Sequence, residues 1–393
     1  MNRKISKLLV LALATSMLFV LPSKGNDVSD GFPVADFTFE VDGYNVTFNA
    51  SMSYDSDGFI VNYTWDFGDG SIGYGEVTEH EYAEEGIYEV WLTVTDNESK
   101  TNSTFKAVCI DLTPPSTEYQ LLPPSPTGKN GWYVSKVKIE LIAYDELSGV
   151  KHTYYSINDD EWTEYTGAIY LEEDGNYTIK YYSIDNYLNQ EEEKSFGIKL
   201  DMERPYTICN ISQSSYDGWY DDILLVSLEA YDNLSGVENL YYRIDGGSYE
   251  KYVENLTVYE GRHVLEYFAM DKAGNAERLN RREINIDMTP PEVTLSPHKG
   301  FYIFGRKIIS SDFTLIIGNI TIVAECSDNL AGIKEVEFYI DGVYKANSSS
   351  PPYEWLWDEF SLGSHEIKVI VYDKAGNKAI KTEDVVAINP KWI

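Results

Sequence analysis

The stretch from residue 261 to residue 275 reads Gly-Arg-His-Val-Leu-Glu-Tyr-Phe-Ala-Met-Asp-Lys-Ala-Gly-Asn, and it decides the fold class. Its apolar positions Leu265 and Tyr267 recur every second residue, which is the period of a half-buried β-strand. The strand closes on Asp271, which opens the turn-forming run Asp-Lys-Ala-Gly-Asn. The same run recurs at residues 373–377, and a third Tyr-rich strand closes on Asp185. We therefore expect one strand-and-turn unit in three copies.

A second repeated pattern precedes each copy of this unit. Asp-x-Leu-(Ser/Ala)-Gly-(Val/Ile) occupies residues 145–150, 232–237 and 328–333. Self-similarity at a spacing of roughly 85 to 100 residues indicates a string of like domains rather than one large catalytic fold. Short alternating strands, with hairpin signals at residues 245–247 and 341–342, predict an antiparallel β-sandwich for each domain.

Prolines mark the domain boundaries. The junctions read Asp-Leu-Thr-Pro-Pro at residues 111–115, Asp-Met-Glu-Arg-Pro at 201–205 and Asp-Met-Thr-Pro-Pro at 287–291. Each ends a last strand and stiffens a short extended junction. The predicted fold is all-β, a string of four antiparallel β-sandwich domains over residues 33–112, 113–201, 202–287 and 288–390.

Residues 1–25 are typical of a secretory signal peptide, with basic Arg3, Lys4 and Lys7 ahead of an apolar run over residues 8–21. Retention of this segment as an N-terminal anchor is the alternative. Its removal takes away four basic and no acidic residues, so the formal charge changes from −33 to −37. Such a surface repels nucleic acid and anionic lipid and favours solubility or divalent cations. We expect an extracellular or cell-surface location.

Two further features fit an exported chain. The three cysteines, Cys109, Cys209 and Cys326, lie in different predicted domains, so an intradomain disulfide framework is not expected. Eleven Asn-x-Ser/Thr triplets predict N-glycosylation, with a generally Asn- and Thr-rich β surface as the alternative. The acceptors are Asn45, Asn49, Asn62, Asn97, Asn102, Asn176, Asn210, Asn233, Asn255, Asn319 and Asn347.

The first predicted domain lacks the repeat and carries another signature. Residues 63–70 read Tyr-Thr-Trp-Asp-Phe-Gly-Asp-Gly, and residues 82–88 read Tyr-Ala-Glu-Glu-Gly-Ile-Tyr. This segment resembles a PKD domain, which implies an Ig-like sandwich of extracellular interaction type. Alternation places Trp65 and Phe67 on one face, so both are expected in the core.

The three later units resemble bacterial and archaeal Ig-like surface repeats. The fullest match is the unit with Tyr-Arg-Ile-Asp-Gly-Gly-Ser-Tyr at residues 242–249. The unit before it departs at Asn158-Asp159-Asp160 and at residues 185–189, so its turn geometry is open. The resemblance implies adhesion, spacing, or carbohydrate or protein contact, and it names no ligand.

In an Ig-like sandwich the two repeated loops emerge at one pole, so the paired aspartates should meet. The expected pairs are Asp145 with Asp185, Asp232 with Asp271, and Asp328 with Asp373. Together with Asn233 or Asn329 and backbone carbonyls, each pair could hold Ca²⁺. The alternative is that these side chains only bond nearby backbone in turns. For Asp55 and Asp57 in the first domain, the same two roles are open: Ca²⁺ binding and turn formation. No cofactor other than Ca²⁺ is expected.

Catalysis is not expected. Paired carboxylates suit glycosidases, but an identical pair in every small sandwich argues against an active site. His263 and His365 occupy the same repeat position, which favours a structural role. Most of the 32 tyrosines fit half-buried strand faces, whereas Trp162, in a very polar hairpin, is the best candidate for sugar or partner contact.

The sequence therefore predicts a non-catalytic, secreted or surface-attached glycoprotein with a structural or adhesive role. Its partners would be extracellular proteins or glycans. The alternative is an accessory substrate-binding protein of an extracellular polysaccharide or protein hydrolase.

Overall fold

A computed structural model describes residues 31–213 and 216–390 of this chain. The predicted signal peptide, residues 1–25, lies outside them. Regular structure within the described residues is entirely β, so the all-β prediction is confirmed. No helix in the described part of the chain is long and apolar enough to cross a membrane.

The first segment folds into two antiparallel sheets that enclose one core. One sheet has the strand order β1-β2-β5 and the other β4-β3-β6-β7. The strands are β1 (Thr38–Asp42), β2 (Asn45–Asn49), β3 (Ile60–Asp66), β4 (Ile72–Tyr74), β5 (Val77–Glu81), β6 (Gly86–Asp96) and β7 (Thr101–Ile110). Trp65 and Phe67 enter the core as their alternation predicts, and the Trp65 ring meets Phe37 edge-on with centroids 5.0 Å apart.

The second segment repeats the two-sheet plan with one added strand. Its sheets have the orders β13-β10-β8 and β12-β11-β14-β15-β9, with β9 parallel to β15. The strands are β8 (Ser116–Leu122), β9 (Trp132–Tyr133), β10 (Val137–Tyr144), β11 (Val150–Ile157), β12 (Thr163–Glu164), β13 (Ile169–Leu171), β14 (Gly175–Asp185) and β15 (Lys194–Leu200).

The third segment has sheets of order β16-β17-β20 and β19-β18-β21-β22. Its strands are β16 (Tyr206–Ile211), β17 (Leu224–Tyr231), β18 (Val237–Ile244), β19 (Glu250–Lys251), β20 (Leu256–Val258), β21 (Gly261–Asp271) and β22 (Asn280–Ile286). Leu224, Val226 and Leu228 alternate into its core, and Leu265 and Tyr267 face them from β21.

The fourth segment pairs the sheet β23-β27-β30 with a larger sheet, β25-β24-β26-β32-β31-β28-β29, because a hairpin adds strands at one edge. Its strands are β23 (Glu292–Ser296), β24 (Gly300–Ile303), β25 (Arg306–Ile309), β26 (Thr314–Ile317), β27 (Ile320–Ser327), β28 (Ile333–Ile340), β29 (Val343–Ser348), β30 (Glu354–Trp357), β31 (Ser361–Asp373) and β32 (Lys378–Asn389).

The β11–β14, β18–β21 and β28–β31 pairs share one register, so the repeat is structural as well as sequential. The turn that follows the first strand of each pair, β11, β18 or β28, is also shared. Asp245 and Gly246 both have positive φ, as do Asp341 and Gly342. Residues 158 and 159 do the same without glycine, at φ 53° and 65°. Asn and Asp tolerate the left-handed region, so the divergent unit keeps the turn geometry of the others.

Candidate metal centres at the domain junctions

The two repeated loops of each Ig-like unit come together at one pole, as the sequence predicts. One loop follows the second long strand of the unit, and the other follows the strand that ends on Asp185, Asp271 or Asp373. Carboxylate oxygens of the paired aspartates lie within 4.8 Å of each other in all three units. The three pairs are therefore real neighbours in space.

A third aspartate joins each pair, and it comes from the preceding domain. The three acids are Asp111, Asp201 and Asp287, each directly after the last strand of its domain. Sequence reasoning used these residues only as boundary markers. Their recurrence at the head of every proline-containing junction was the available signal. We call the resulting sets the junction triads: Asp111–Asp145–Asp185, Asp201–Asp232–Asp271 and Asp287–Asp328–Asp373.

The role of the asparagines predicted to complete the shell stays a prediction. Asn233 and Asn329 are both exposed, one residue after the loop aspartate of their units. The third acid of each of these two triads comes from the neighbouring domain, as Asp201 in the one case and Asp287 in the other.

Hydrogen bonds within the loops hold the paired aspartates in place. Asp271 Oδ1 accepts the N–H groups of Gly274 and Asn275 at 2.6 and 2.8 Å, and its Oδ2 accepts the Asn275 amide at 2.8 Å. Asp232 Oδ1 accepts the N–H of Gly236 at 2.5 Å. The turn role considered from the sequence is thus present, and it uses both carboxylate oxygens of Asp271 and Oδ1 of Asp232.

The junction aspartate forms hydrogen bonds across the domain boundary. Asp201 Oδ2 accepts the Ser235 N–H at 3.1 Å, and the Asp201 carbonyl accepts the Asn275 amide at 2.9 Å. Both contacts recur in the other junctions: Asp111 with Ser148 and Asn189 at 2.9 and 3.0 Å, and Asp287 with Ala331 and Asn377 at 2.8 and 2.7 Å.

The triads place buried carboxylates beside one another. Burial raises the pKa of Asp201; a hydrogen bond from Ser235 opposes this, and repulsion from Asp232 and Asp271 adds to it. Burial likewise raises the pKa of Asp287. Two unit charges about 4 Å apart repel by roughly 4 kcal/mol at an effective dielectric of 20. The triads that contain Asp201 and Asp287 therefore favour either a proton or a cation.

Burial also raises the pKa of Asp373, against hydrogen bonds from Asn377 and the backbone. Two triad carboxylates carry a buried oxygen with no hydrogen-bond partner, Asp201 Oδ1 and Asp328 Oδ1. Among the described residues, no lysine, arginine or histidine forms an ion pair with a triad aspartate. The donor set, three carboxylates, suits a hard divalent cation.

The first domain holds a separate acidic group. Burial and a hydrogen bond with Asp57 raise the pKa of Asp55, whereas the Gly31 N–H, 2.8 Å from Oδ2, lowers the pKa of Asp57. The neighbouring Asp96 is buried, and both Asp55 Oδ1 and Asp96 Oδ2 lack a hydrogen-bond partner. The metal assignment for Asp55 and Asp57 stays a prediction.

The remaining predicted contact residues lie on the surface. Trp162 is 38% exposed and its ring packs nearly perpendicular to that of Tyr182, with centroids 4.7 Å apart. Ten of the eleven glycosylation acceptors are exposed and Asn49 is half-buried, so their placement is compatible with modification, which stays a prediction.

The repeated histidines bind the hairpin aspartates. His263 Nδ1 lies 2.8 Å from Asp245 Oδ2, and His365 Nδ1 lies 2.7 Å from Asp341 Oδ2. Each contact clamps the two-residue turn to the strand that carries the histidine. This is the structural role that the shared sequence position favours.

The geometry defines a modular protein built from a string of Ig-like β-sandwich domains, in which the same set of aspartates and hydrogen bonds recurs at each junction. Family comparison names two of these modules. Residues 32–109 match the PKD domain, and residues 311–369 match a bacterial Ig domain. The chain therefore carries a PKD domain followed by Ig-like domains, as the motif at residues 63–70 predicted.

Individual relatives match the PKD segment. A microbial collagenase of Vibrio alginolyticus is 41% identical over 86 residues, which is 21% of this chain and 11% of that protein. The pre-pro-metalloprotease PrtV of Vibrio cholerae is 38% identical over 79 residues, 20% of this chain and 8% of that protein. The chain thus spans about a tenth of the length of these curated relatives.

A solved structure matches the same segment. The PKD1 domain of Vibrio anguillarum Epp is 35% identical, covers 22% of this chain and is itself covered completely, with a TM-score of 0.21.

Proposed function

We propose that this protein is a non-catalytic modular protein of the cell exterior with a structural or adhesive role. The observation that carries the proposal is the recurrence of one junction, with the same aspartate and the same two cross-boundary hydrogen bonds, at three domain boundaries. A conserved way of joining like domains suits a spacer that holds a distal module at a defined distance.

Two observations support the exterior location. The chain is strongly acidic, with a formal charge of −33, which disfavours nucleic acid and anionic membrane partners. Its PKD segment resembles segments of proteins named as a collagenase and a metalloprotease. Glycosylation of an exported protein also accounts for the exposed acceptor triplets.

Fractionation of the source cells tests this proposal. Antibodies against the purified chain should label intact cells, and the protein should be removed by protease added outside the cells or be recovered with the envelope or medium. Recovery only from the cytoplasm would contradict the location. Hydrolysis of protein or polysaccharide by the purified chain would contradict the absence of catalysis.

A second candidate is an accessory substrate-binding role beside a protein hydrolase. Trp91 and Phe105 stack with centroids 4.8 Å apart on the outer face of the first domain, 41% and 50% exposed. Exposed stacked aromatics offer a large contact area at small entropy cost. The similarity to a collagenase segment makes fibrillar collagen the substrate to try first.

A co-sedimentation assay distinguishes this candidate. Binding of the chain to fibrillar collagen should be reduced at least tenfold by Trp91→Ala. Tyr119→Ala is the matched control, because Tyr119 is 41% exposed and stacks on Phe196 in the second domain. Equal binding by both variants would exclude the patch. Insoluble chitin and cellulose with Trp162→Ala test glycan contact in the same format.

A further inference from the structure

We propose that each junction triad binds one Ca²⁺ ion, and that this ion ties two neighbouring domains together. The proposal is independent of the function proposed above, since it concerns ligands and domain geometry only. It is argued first for the triad formed by Asp201, Asp232 and Asp271, with the other two triads as internal replicates.

The triad geometry suits one oxygen-coordinated ion. The three carboxylates each offer an oxygen within 4.8 Å of the others, so a single ion with bonds of about 2.4 Å can reach all three. The set contains carboxylates alone, without the thiolate or imidazole groups that softer metals prefer. Ca²⁺ accepts such flexible oxygen sets, whereas Mg²⁺ demands a compact octahedron and retains water.

One residue of this set carries a buried oxygen without a hydrogen-bond partner. Asp201 has no exposed surface, its Oδ2 accepts the Ser235 N–H, and its Oδ1 has no hydrogen-bond partner. In the last triad the buried Asp328 Oδ1 is likewise without a partner. Buried carboxylate oxygens are normally satisfied, and an unsatisfied one is costly. A cation bound between the carboxylates supplies the missing partner in both triads.

Turn formation does not account for the junction aspartate. Asp232 and Asp271 hold their own loops through bonds to Gly236 and Asn275. Asp201 belongs to the other domain and could hold the Ser235 N–H as a neutral residue of the same shape. A charged, fully buried carboxylate beside two others is explained by an ion that needs it.

The bound ion would restrict motion between the domains. Asp201 directly follows β15, the last strand of the second domain, whereas Asp232 and Asp271 follow β17 and end β21 in the third. An ion held by all three links both domains on one side of the junction. Lys129 of the second domain also donates its backbone N–H to the carbonyl of Ala273 at 2.7 Å, so the loop that follows Asp271 has a second contact with the preceding domain.

The test uses the full chain without its first 25 residues. Equilibrium dialysis with Ca²⁺ should show one ion fewer per chain for Asp201→Asn, and three fewer for the combined Asp111→Asn, Asp201→Asn and Asp287→Asn variant. Asp245→Asn is the matched control, because Asp245 also accepts a backbone N–H in the third domain and lies outside the triads. It should bind as many ions as the wild type.

Thermal melts separate an ion site from a hydrogen-bonding role. In EDTA, Asp201→Asn should melt at or above the wild-type temperature, because it removes a buried repulsion. In millimolar Ca²⁺ the order should reverse, because only the wild type gains the ion at this junction. An equal loss of stability in both conditions would overturn the proposal, as would unchanged ion stoichiometry in this variant.

Small-angle X-ray scattering reports the link between domains. Ca²⁺ should reduce the inter-domain flexibility of the wild type and leave that of the combined variant unchanged. The same response in both proteins would overturn the linking role. A Mg²⁺ response equal to the Ca²⁺ response would overturn the assignment to Ca²⁺.

Discussion

Replacement of Asn275 by alanine tests how much one junction hydrogen-bond pair contributes. The Asn275 amide donates to the Asp201 carbonyl at 2.9 Å, across the boundary, and to Asp271 Oδ2 at 2.8 Å, within its own loop. Alanine removes both bonds and leaves two acceptors, one of them charged, on fully buried residues. The same amide recurs at Asn189 and Asn377.

The magnitude follows from the acceptors. A bond to a neutral carbonyl contributes about 0.5–1.5 kcal/mol, and a bond to a carboxylate contributes about 1.5–3 kcal/mol. Asn275 is half-buried, so water can replace part of both bonds. We expect a loss of about 2–3 kcal/mol in the free energy of unfolding, which lowers the melting temperature of a domain of this size by on the order of 10 °C.

Differential scanning calorimetry in EDTA is the assay, because it excludes any contribution from a bound ion. Asn285→Ala is the matched control, since Asn285 lies in the same domain and makes one long bond, 3.5 Å, to the Gly218 carbonyl. A melting temperature for Asn275→Ala as high as that of the control would refute the reasoning. A loss in Asn275→Ala with none in Asn189→Ala or Asn377→Ala would refute the equivalence of the three junctions.

Three further predictions concern the first and last domains. Trp65→Ala should cost about 3–5 kcal/mol of PKD-domain stability in urea unfolding, because the side chain is fully buried; a loss below about 1 kcal/mol would contradict its place in the core. Gly68→Ala should be less stable in urea than Gly70→Ala by about 1–3 kcal/mol, because both have positive φ but only the Gly68 Cβ would meet a backbone carbonyl, at 2.7 Å; equal stabilities would refute the clash. The His365 hydrogen bond lowers the pKa of Asp341, so carboxyl NMR titration between about pH 2 and about pH 5 should find this pKa raised in His365→Gln. A carboxylate whose pKa is lowered by folding stabilises the fold at pH values above its pKa in the unfolded chain. The stability difference between wild type and His365→Gln should therefore vanish as pH falls through the folded-state pKa of Asp341. A difference that persists at lower pH would contradict the linkage.

Most of the fold could be predicted from short-range patterns. Alternation over β21 placed Leu265 and Tyr267 in the core, and the two-residue turn at Asp245 was readable because its conformation demands Gly, Asn or Asp. Prolines gave the junction positions. The added hairpin of the fourth domain, β24 with β25, carried no comparable signal, since its edge pairing depends on which strand happens to be free.

The candidate site, too, could be predicted from the sequence only in part. The pairing of Asp232 with Asp271 was predictable because repeated loops of one sandwich share a pole. Asp201 was recognised only as a boundary marker, and its partner Ser235 lies 34 residues further along the chain. No sequence period spans that separation, because it is set by the docking of one domain on the next.

Strands, turns, the repeat and the acidic loops were readable from the sequence, because each depends on residues that are near one another in the chain. The tertiary structure alone decided that every acidic pair becomes a triad, that the third carboxylate is buried, and that it belongs to the preceding domain. Burial and charge density at a junction arise from two domains at once. The proposed Ca²⁺ sites of the junction triads therefore lie in the contact between modules and in none of the modules alone.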